Sequence, residues 1–424
     1  MSRRPRAVVV VTGSELVRGD RNDLNGPFLA HELVSLGLEP ERIVVVGDGD
    51  EALEAALRDG AAADLCVVSG GLGPTHDDRT VELVARVSGR ELLVDEALER
   101  EIETVSRLIA ERLRRPYAEF APGVRKQATL PTGAVSLGLA GTAPGSVLDT
   151  DMCVFVVLPG PPRELQRLWR AAVAAAPVQR VLARASEPER RVLRLYGAGE
   201  SEVARALEAA GGAPPGVDVT ICARDFEIHV DLVAAPQASP RAAELAAAFR
   251  RRLGDYLFAE DERPVAELVL ELCRARGYTL ATAESCTGGL VAARLTDVAG
   301  SSDVFRGSVV AYANEVKTEL LDVAPDVLER HGAVSAETAA AMAAGVRGRL
   351  GVDAAISVTG VAGPGGGTSE KPVGLVYFHV STPDGARGGE FSVPADRETV
   401  RARATVAALH LARRVLSQRR DEDA

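Results

Sequence analysis

Short unbroken apolar runs alternate along this chain with stretches whose apolar residues recur every three to four positions. Ala7-Val8-Val9-Val10-Val11 is the first such run and predicts a buried strand over residues 6–13. Phe28, Leu29, Leu33 and Leu36 then mark one face of a helix over 25–37. Further strands are predicted over 43–46, 64–69 and 154–158, and helices over 51–58 and 80–87. Strands alternating with helices at this pitch predict a parallel sheet covered on both faces, in a first domain spanning 6–180. The pattern changes over 185–260, where strands at 191–196, 218–223 and 227–233 and helices at 201–209 and 240–253 describe a small α+β middle module. The α/β alternation returns in a third unit, 262–418. Its strands are predicted at 279–283, 308–313, 354–359 and 373–380, and its helices at 265–276, 288–295, 336–350 and 398–416. The charged tail beyond is expected to fray.

Composition narrows the function classes. The 424 residues are 46% hydrophobic and 26% charged, which is globular. No apolar run approaches the ~18 residues of a membrane helix, and the run after Arg6 reads as a core strand rather than a secretory leader. The net charge of −11 and the 4% aromatic content weigh against a general nucleic-acid binder. Five scattered cysteines show neither zinc nor redox spacing, so a reducing cytoplasm is the expected setting. Of the 49 basic residues only three are lysines: Lys126, Lys317 and Lys371. Where Arg has replaced Lys wherever a guanidinium serves, the surviving lysines are enriched at places that need an amine able to lose its proton.

Ligands of open α/β sheets bind at the carboxyl ends of the strands. In the third unit these ends carry Glu284-Ser285-Cys286-Thr287-Gly288-Gly289, Tyr312-Ala313-Asn314-Glu315-Val316-Lys317, and a glycine-rich stretch over 359–367. Ser285 falls at a strand-to-helix turn, where Gly288 and Gly289 are expected to leave amides open to an anion. No histidine lies in the three segments, which disfavours a Ser–His–Asp triad and leaves Lys317 as the base of a Ser–Lys pair. Ser285 reads equally as a helix N-cap and Lys317 as a solvated charge at the start of a helix. Cys286 is a rival nucleophile without a histidine to generate its thiolate.

Residues 279–416 resemble the CinA C-terminal domain, the nicotinamide mononucleotide deamidase family. The resemblance is carried by 283–289, 307–317, Gly332-Ala333-Val334-Ser335, and 358–367 followed by Glu370-Lys371-Pro372-Val373-Gly374. It implies a nucleophile at Ser285, with the family's lysine, tyrosine and threonine falling on Lys317, Tyr312 and Thr359. It also implies substrate contacts from Gly288, Gly289, Asn314 and Gly360, and no cofactor. The family's Gly-Asp-Arg is here Ala395-Asp396-Arg397, and Arg397 with Arg401 would suit a substrate phosphate.

In the first domain, Thr12-Gly13-Ser14-Glu15, the stretch 70–78 and Pro159-Gly160-Pro161-Pro162 follow three strands and should converge on one rim. Asp77 and Asp78 offer hard oxygens to a divalent cation, or alternatively serve the dipole of the helix beginning at Thr80. Residues 6–170 resemble the molybdopterin-binding fold in its CinA version, with Asp23-Leu24-Asn25 and Arg125-Lys126-Gln127-Ala128 among the matching stretches. The order of the three parts, with Gly197-Ala198-Gly199-Glu200-Ser201 in the middle one, resembles full-length CinA. This implies a metal-dependent ADP-ribose pyrophosphatase. Its substrate contacts would fall on Thr12, Gly13, Asn25, Gly71, Gly73 and Thr75, and its divalent metal on Asp77 and Asp78. The stretch 16–23 departs from the family's Leu-Leu-x-Gly.

The expected whole is an α/β enzyme of pyridine-nucleotide recycling, acting on nicotinamide mononucleotide and ADP-ribose. It is expected to be a homo-oligomer without nucleic-acid or membrane partners. The alternatives are a molybdopterin-type binding module with a vestigial deamidase, and a competence-linked DNA-uptake accessory. Intact Ser285, Lys317 and Thr359 count against the first, and the acidic charge against the second.

Overall fold

A computed structural model describes residues 4–186 and 188–418, so the expected frayed tail from 419 lies outside the described residues. The chain forms two compact units, Met1–Glu189 with Ala234–Gln237, and Arg190–Val233 with Ala238–Ala424.

The first unit is built on a six-stranded sheet. Strands Glu39–Val46, Arg6–Thr12, Leu65–Ser69 and Val154–Leu158 run parallel, in that order. Pro144–Asp149 and Ala134–Leu139 extend the sheet antiparallel, so it is mixed and not wholly parallel as the alternation suggested. Pro144 opens its strand, an interior-sheet position where a missing N–H is tolerated. The sheet buries both faces. Val9, Leu29, Val67, Leu168 and Trp169 pack on one side, and Val8, Leu57, Leu83 and Phe155 on the other. Helices Glu96–Leu113 and Ala121–Gln127 form a satellite cluster around Ile102 that the apolar pattern left unassigned.

The second unit holds two sheets. The larger runs in the order Phe305–Val310, Leu280–Glu284, Ala354–Gly360, Leu375–Thr382, Gly385–Ser392. Its first three strands are parallel and its last two antiparallel. Gly385–Ser392 escapes the sequence pattern because three of its eight residues are glycine; a Cβ on Gly389 would lie 2.5 Å from the Phe378 ring. Helices Val265–Arg276 and Arg397–Ser417 cover one face and Ala336–Leu350 the other. Gly345 on the last of these lets the end of helix Asn314–Leu321 press in, since a Cβ there would lie 1.8 Å from the Leu321 carbonyl oxygen. That approach sets the depth of Lys317.

The smaller sheet orders Val217–Arg224, Glu227–Ala234, Glu189–Leu195 and Leu257–Ala259, with helices Glu200–Ala209 and Ser239–Leu253. It meets the long C-terminal helix at a buried pair. His410 is fully buried, its Nε2 lies 2.7 Å from Glu227 Oε1, and its ring stacks on Tyr196 with centroids 3.7 Å apart. Burial pushes the Glu227 carboxyl from its ordinary 4.5 up to about 7, and burial with Arg413 and Arg414 drives the His410 imidazole down to about 2.

A carboxyl raised by folding binds its proton more tightly in the native state, so its penalty is absent below pH 4.5 and complete above about pH 7. Glu227→Gln, which keeps the shape without the ionisation, should therefore gain stability relative to the native chain as pH rises through that window. The gain should be on the order of 1–3 kcal/mol. Denaturant titrations at pH 5 and pH 8 check this; an equal difference at both refutes it.

Candidate active site

Strand Leu280–Glu284, the middle one of the three parallel strands, ends level with Val310 on one neighbour and Val358 on the other. The next residue, Ser285, donates its backbone N–H to the Val358 carbonyl at 2.9 Å, which fixes the serine beside Thr359. Ser285 is 8% exposed and Lys317 1%. Lys317 Nζ donates to the carbonyls of Ala311 at 2.9 Å and Tyr312 at 3.3 Å, and lies 3.2 Å from Ser285 Oγ. Two carbonyls thus engage two N–H groups, and the third position of the nitrogen faces the serine. A free amine there presents its lone pair to the Ser285 hydroxyl. Burial pulls the lysine below its ordinary value toward that state, opposed by Cys286 and Glu315. Cys286 is removed as a rival nucleophile, because burial pushes its thiol up to about 12.

The turn after Ser285 is organised by a residue that sequence reasoning passed over. Glu284 is fully buried; its Oε2 accepts from the amides of Gly289 at 2.9 Å and Val291 at 3.1 Å, and its Oε1 from Ala292 at 2.9 Å. The expectation of open glycine amides is therefore corrected: Gly289 donates to Glu284, and Gly288 to the Ser285 carbonyl at 3.1 Å. The signal was an acid closing the strand Leu280–Glu284, whose residues before it carry no charge, where a buried carboxylate must find donors. Gly288 and Gly289 instead provide left-handed backbone, with φ of 61° and 96°.

Arg401 donates through Nε to the Cys286 carbonyl at 3.1 Å and through Nη2 to Thr287 at 2.8 Å. Arg397 donates to the Gly363 carbonyl at 2.8 Å and to the exposed Tyr312 hydroxyl at 2.9 Å, tying the glycine loop to Tyr312. Thr359 is buried and donates to the Ala333 carbonyl at 2.7 Å. Asn314 is exposed at the first position of the helix that carries Lys317. Gly360 is demanded by packing, since a Cβ would lie 2.7 Å from Val376 Cγ2. Ser285 and Lys317 thus meet side chain to side chain, whereas Tyr312 joins them only through its backbone carbonyl and turns its exposed hydroxyl to Arg397; Thr359 lies alongside and the two arginines bracket the turn and the mouth.

In the first unit the three segments do converge. Asn25 Nδ2 donates to Ser69 Oγ at 2.9 Å and to the Gly160 carbonyl at 2.7 Å, while its Oδ1 is buried without a partner. A Cβ on Gly70 would lie 2.4 Å from the Thr12 carbonyl oxygen. Thr12 Oγ1 itself donates to Asp48 at 3.1 Å, and the Gly13 amide to Val46 at 3.0 Å. A cavity opens beside this rim, lined by Gly71, Gly73, Asp78, Lys126, Gln127 and Ser146 among others; Thr12, Gly13 and Asn25 do not line it. Thr75 Oγ1 lies 2.5 Å from both Asp77 Oδ1 and Asp78 Oδ2, and its amide donates to Asp78 at 3.0 Å. That hydroxyl bond holds the exposed Asp77 carboxyl below the ordinary range. Lys126 donates to the Thr75 carbonyl. Among the described residues no group of three or more His, Cys, Asp or Glu side chains converges on a metal position.

Comparison with known proteins matches residues 262–416 to the family described as "CinA C-terminal domain", 8–178 to "Probable molybdopterin binding domain" and 190–259 to "Damage-inducible protein CinA KH domain". A CinA-like protein of Mycolicibacterium paratuberculosis is 45% identical, over 97% of this chain and 98% of its own. One of Mycolicibacterium gilvum is 46% identical, over 97% and 99%. The crystal structure of the competence/damage inducible protein CihA from Agrobacterium tumefaciens is 37% identical, covering 38% of this chain and all of its own, with a TM-score of 0.35. No helix among the described residues is long and apolar enough to cross a membrane.

The Ser285–Lys317 contact makes a prediction that needs no substrate. Labelling of Ser285 by a fluorophosphonate should accelerate with pH through a midpoint below the 10.5 of ordinary lysine. Lys317→Arg should slow labelling at neutral pH about as much as Lys317→Ala, because a guanidinium stays protonated, by the ~10²–10⁴-fold of a lost general base. Mass spectrometry of the labelled peptide reads both; fast labelling of the Arg variant refutes the lysine as base.

Proposed function

The chain belongs to the CinA family, with a molybdopterin-binding-like N-terminal domain, and we propose that it is a pyridine-nucleotide recycling enzyme whose C-terminal domain hydrolyses the carboxamide of nicotinamide mononucleotide. The observation that carries the reading is Lys317 Nζ at 3.2 Å from Ser285 Oγ, with the amine's other two positions facing carbonyls. The lysine accepts the serine proton as Oγ attacks the carboxamide carbon, then delivers it to the departing nitrogen, which leaves as ammonia. Water attacks the resulting ester, and the proton passes back through Lys317 to Ser285 as nicotinate mononucleotide departs. Tyr312 and Arg397 stand at the exposed mouth, where a cation and a hydroxyl suit the substrate phosphate.

For the N-terminal domain the proposal is pyrophosphate cleavage of ADP-ribose, which the family resemblance ties to a divalent metal. One exposed and one half-buried carboxylate around one hydroxyl fit a hard cation that takes its remaining ligands from substrate phosphates and water. Such an ion would supply charge neutralisation for the pyrophosphate. Lys126, anchored to the Thr75 carbonyl, and the side-chain-free Gly71 and Gly73 leave the cavity wall open to phosphate oxygens.

The purified chain should release ammonia from nicotinamide mononucleotide, and Ser285→Ala should lower kcat to background with the fold intact by circular dichroism. Absence of ammonia from the native chain refutes the amidase reading. Asp77→Asn or Asp78→Asn should abolish AMP formation from ADP-ribose and leave ammonia release within about twofold, since the two sites lie in separate units. Undiminished AMP formation in excess chelator removes the metal.

A further inference from the structure

Glu284 occupies an unusual position for an acid. It is the last residue of strand Leu280–Glu284, fully buried, and directly precedes the serine. A carboxylate in such a place is costly unless its oxygens are satisfied. The satisfaction here comes from four donors. Three are the amides of Gly289, Val291 and Ala292, and the fourth is Thr282 Oγ1, 3.2 Å from Oε1.

These donors define what the residue does. Gly289, Val291 and Ala292 lie at the N-terminal end of helix Leu290–Thr296, so Glu284 binds its own chain five to eight residues ahead. The loop thus closed contains Ser285, Cys286, Thr287 and Gly288. Across it, Arg401 engages the opposite kind of backbone group, the carbonyls of Cys286 and Thr287. One anion holds the amides and one cation the carbonyls. Gly288 and Gly289 supply the left-handed conformations that let the chain turn between them.

The geometry points to Glu284 as a positioning residue for the nucleophile: its carboxylate locks the Ser285 turn so that Oγ stays within reach of Lys317. This rests on the amidase reading above and deepens it. Glu284 touches neither substrate nor Lys317 in this role. The partners of Lys317 Nζ are Ser285 Oγ and the carbonyls of Ala311 and Tyr312, none of which a change at 284 removes. A reacting pair held at 3.2 Å tolerates little drift, and a displacement of about 1 Å costs roughly 10²-fold in rate.

The test is steady-state kinetics of ammonia release by the full chain for the native protein, Glu284→Gln and Glu284→Asp, with the properly folded fraction measured by circular dichroism. Glu284→Gln replaces one accepting oxygen with an amino group facing backbone N–H donors. Glu284→Asp keeps the charge but withdraws it by one methylene. Positioning requires kcat to fall about 10–100-fold in both, with KM within about threefold and the pH midpoint of kcat/KM unmoved. Amide exchange should quicken at Gly289, Val291 and Ala292. Native kcat in Glu284→Asp with a shifted midpoint in Glu284→Gln would overturn positioning in favour of an electrostatic role. Native kcat in Glu284→Gln would overturn any role. If Glu284→Gln does not fold, Glu284→Asp and Thr282→Val carry the same kinetic test, with Ser308→Ala as the control for the Thr282–Ser308 bond that Thr282→Val also removes. A native chain that releases no ammonia sinks the amidase reading and this inference together, whereas active native enzyme with indifferent variants sinks this inference alone.

Discussion

The burial of one amine organises the C-terminal half of this protein. Lys317 is among the largest fully enclosed side chains of the molecule, and an ammonium in that position would be costly without partners. Its environment answers with the carbonyls of Ala311 and Tyr312 and the hydroxyl of Ser285. For those carbonyls to face inward, the chain leaving Phe305–Val310 must turn back and enter helix Asn314–Leu321 at a fixed depth. That depth is permitted by Gly345 on another helix, where any side chain would strike the Leu321 carbonyl. A packing detail distant in sequence thus places the lysine low enough to lose its proton readily.

The two candidate sites differ in burial while sharing one architectural rule. Both sit beyond the carboxyl ends of parallel strands, where loops are free to gather side chains without breaking the sheet. In the C-terminal site Glu284, Lys317, Ser285 and Thr359 are buried, so low local polarity strengthens each contact and lowers the affinity of the lysine for its proton. In the N-terminal site Asp77 is exposed and Asp78 half-buried at a cavity wall, where a pair of carboxylates suits a hard cation. Proton transfer suits the first environment and charge neutralisation the second.

The long C-terminal helix joins the active-site region to the middle module. Its first turns carry Arg397 and Arg401, and farther along His410 sits in an aromatic box of Tyr196 and Phe258 against Glu227. With the imidazole held neutral and the carboxyl raised to about 7, that junction changes charge near neutral pH. The module therefore contributes more than a spacer to the folding of the second unit.

Much of this was legible in the residue order. Unbroken apolar runs gave the central strands, because a strand buried on both faces has no polar side to interrupt it. Helices Thr80–Val87, Val265–Arg276 and Ala336–Leu350 appeared at their observed limits, and the scarcity of lysine together with a place in a strand-end segment pointed to Lys317. What stayed hidden depends on partners remote in sequence. Gly385–Ser392 and Pro144–Asp149 are strands only because a neighbouring strand offers its edge, against their own composition. The sequence suggested open amides after Ser285, but only the folded turn shows the Glu284 carboxylate occupying them. Local pattern determines which segments prefer strand or helix. Which donor meets which acceptor, and which charge is stripped of water, is decided when the elements pack, since both depend on distances that the one-dimensional order does not contain.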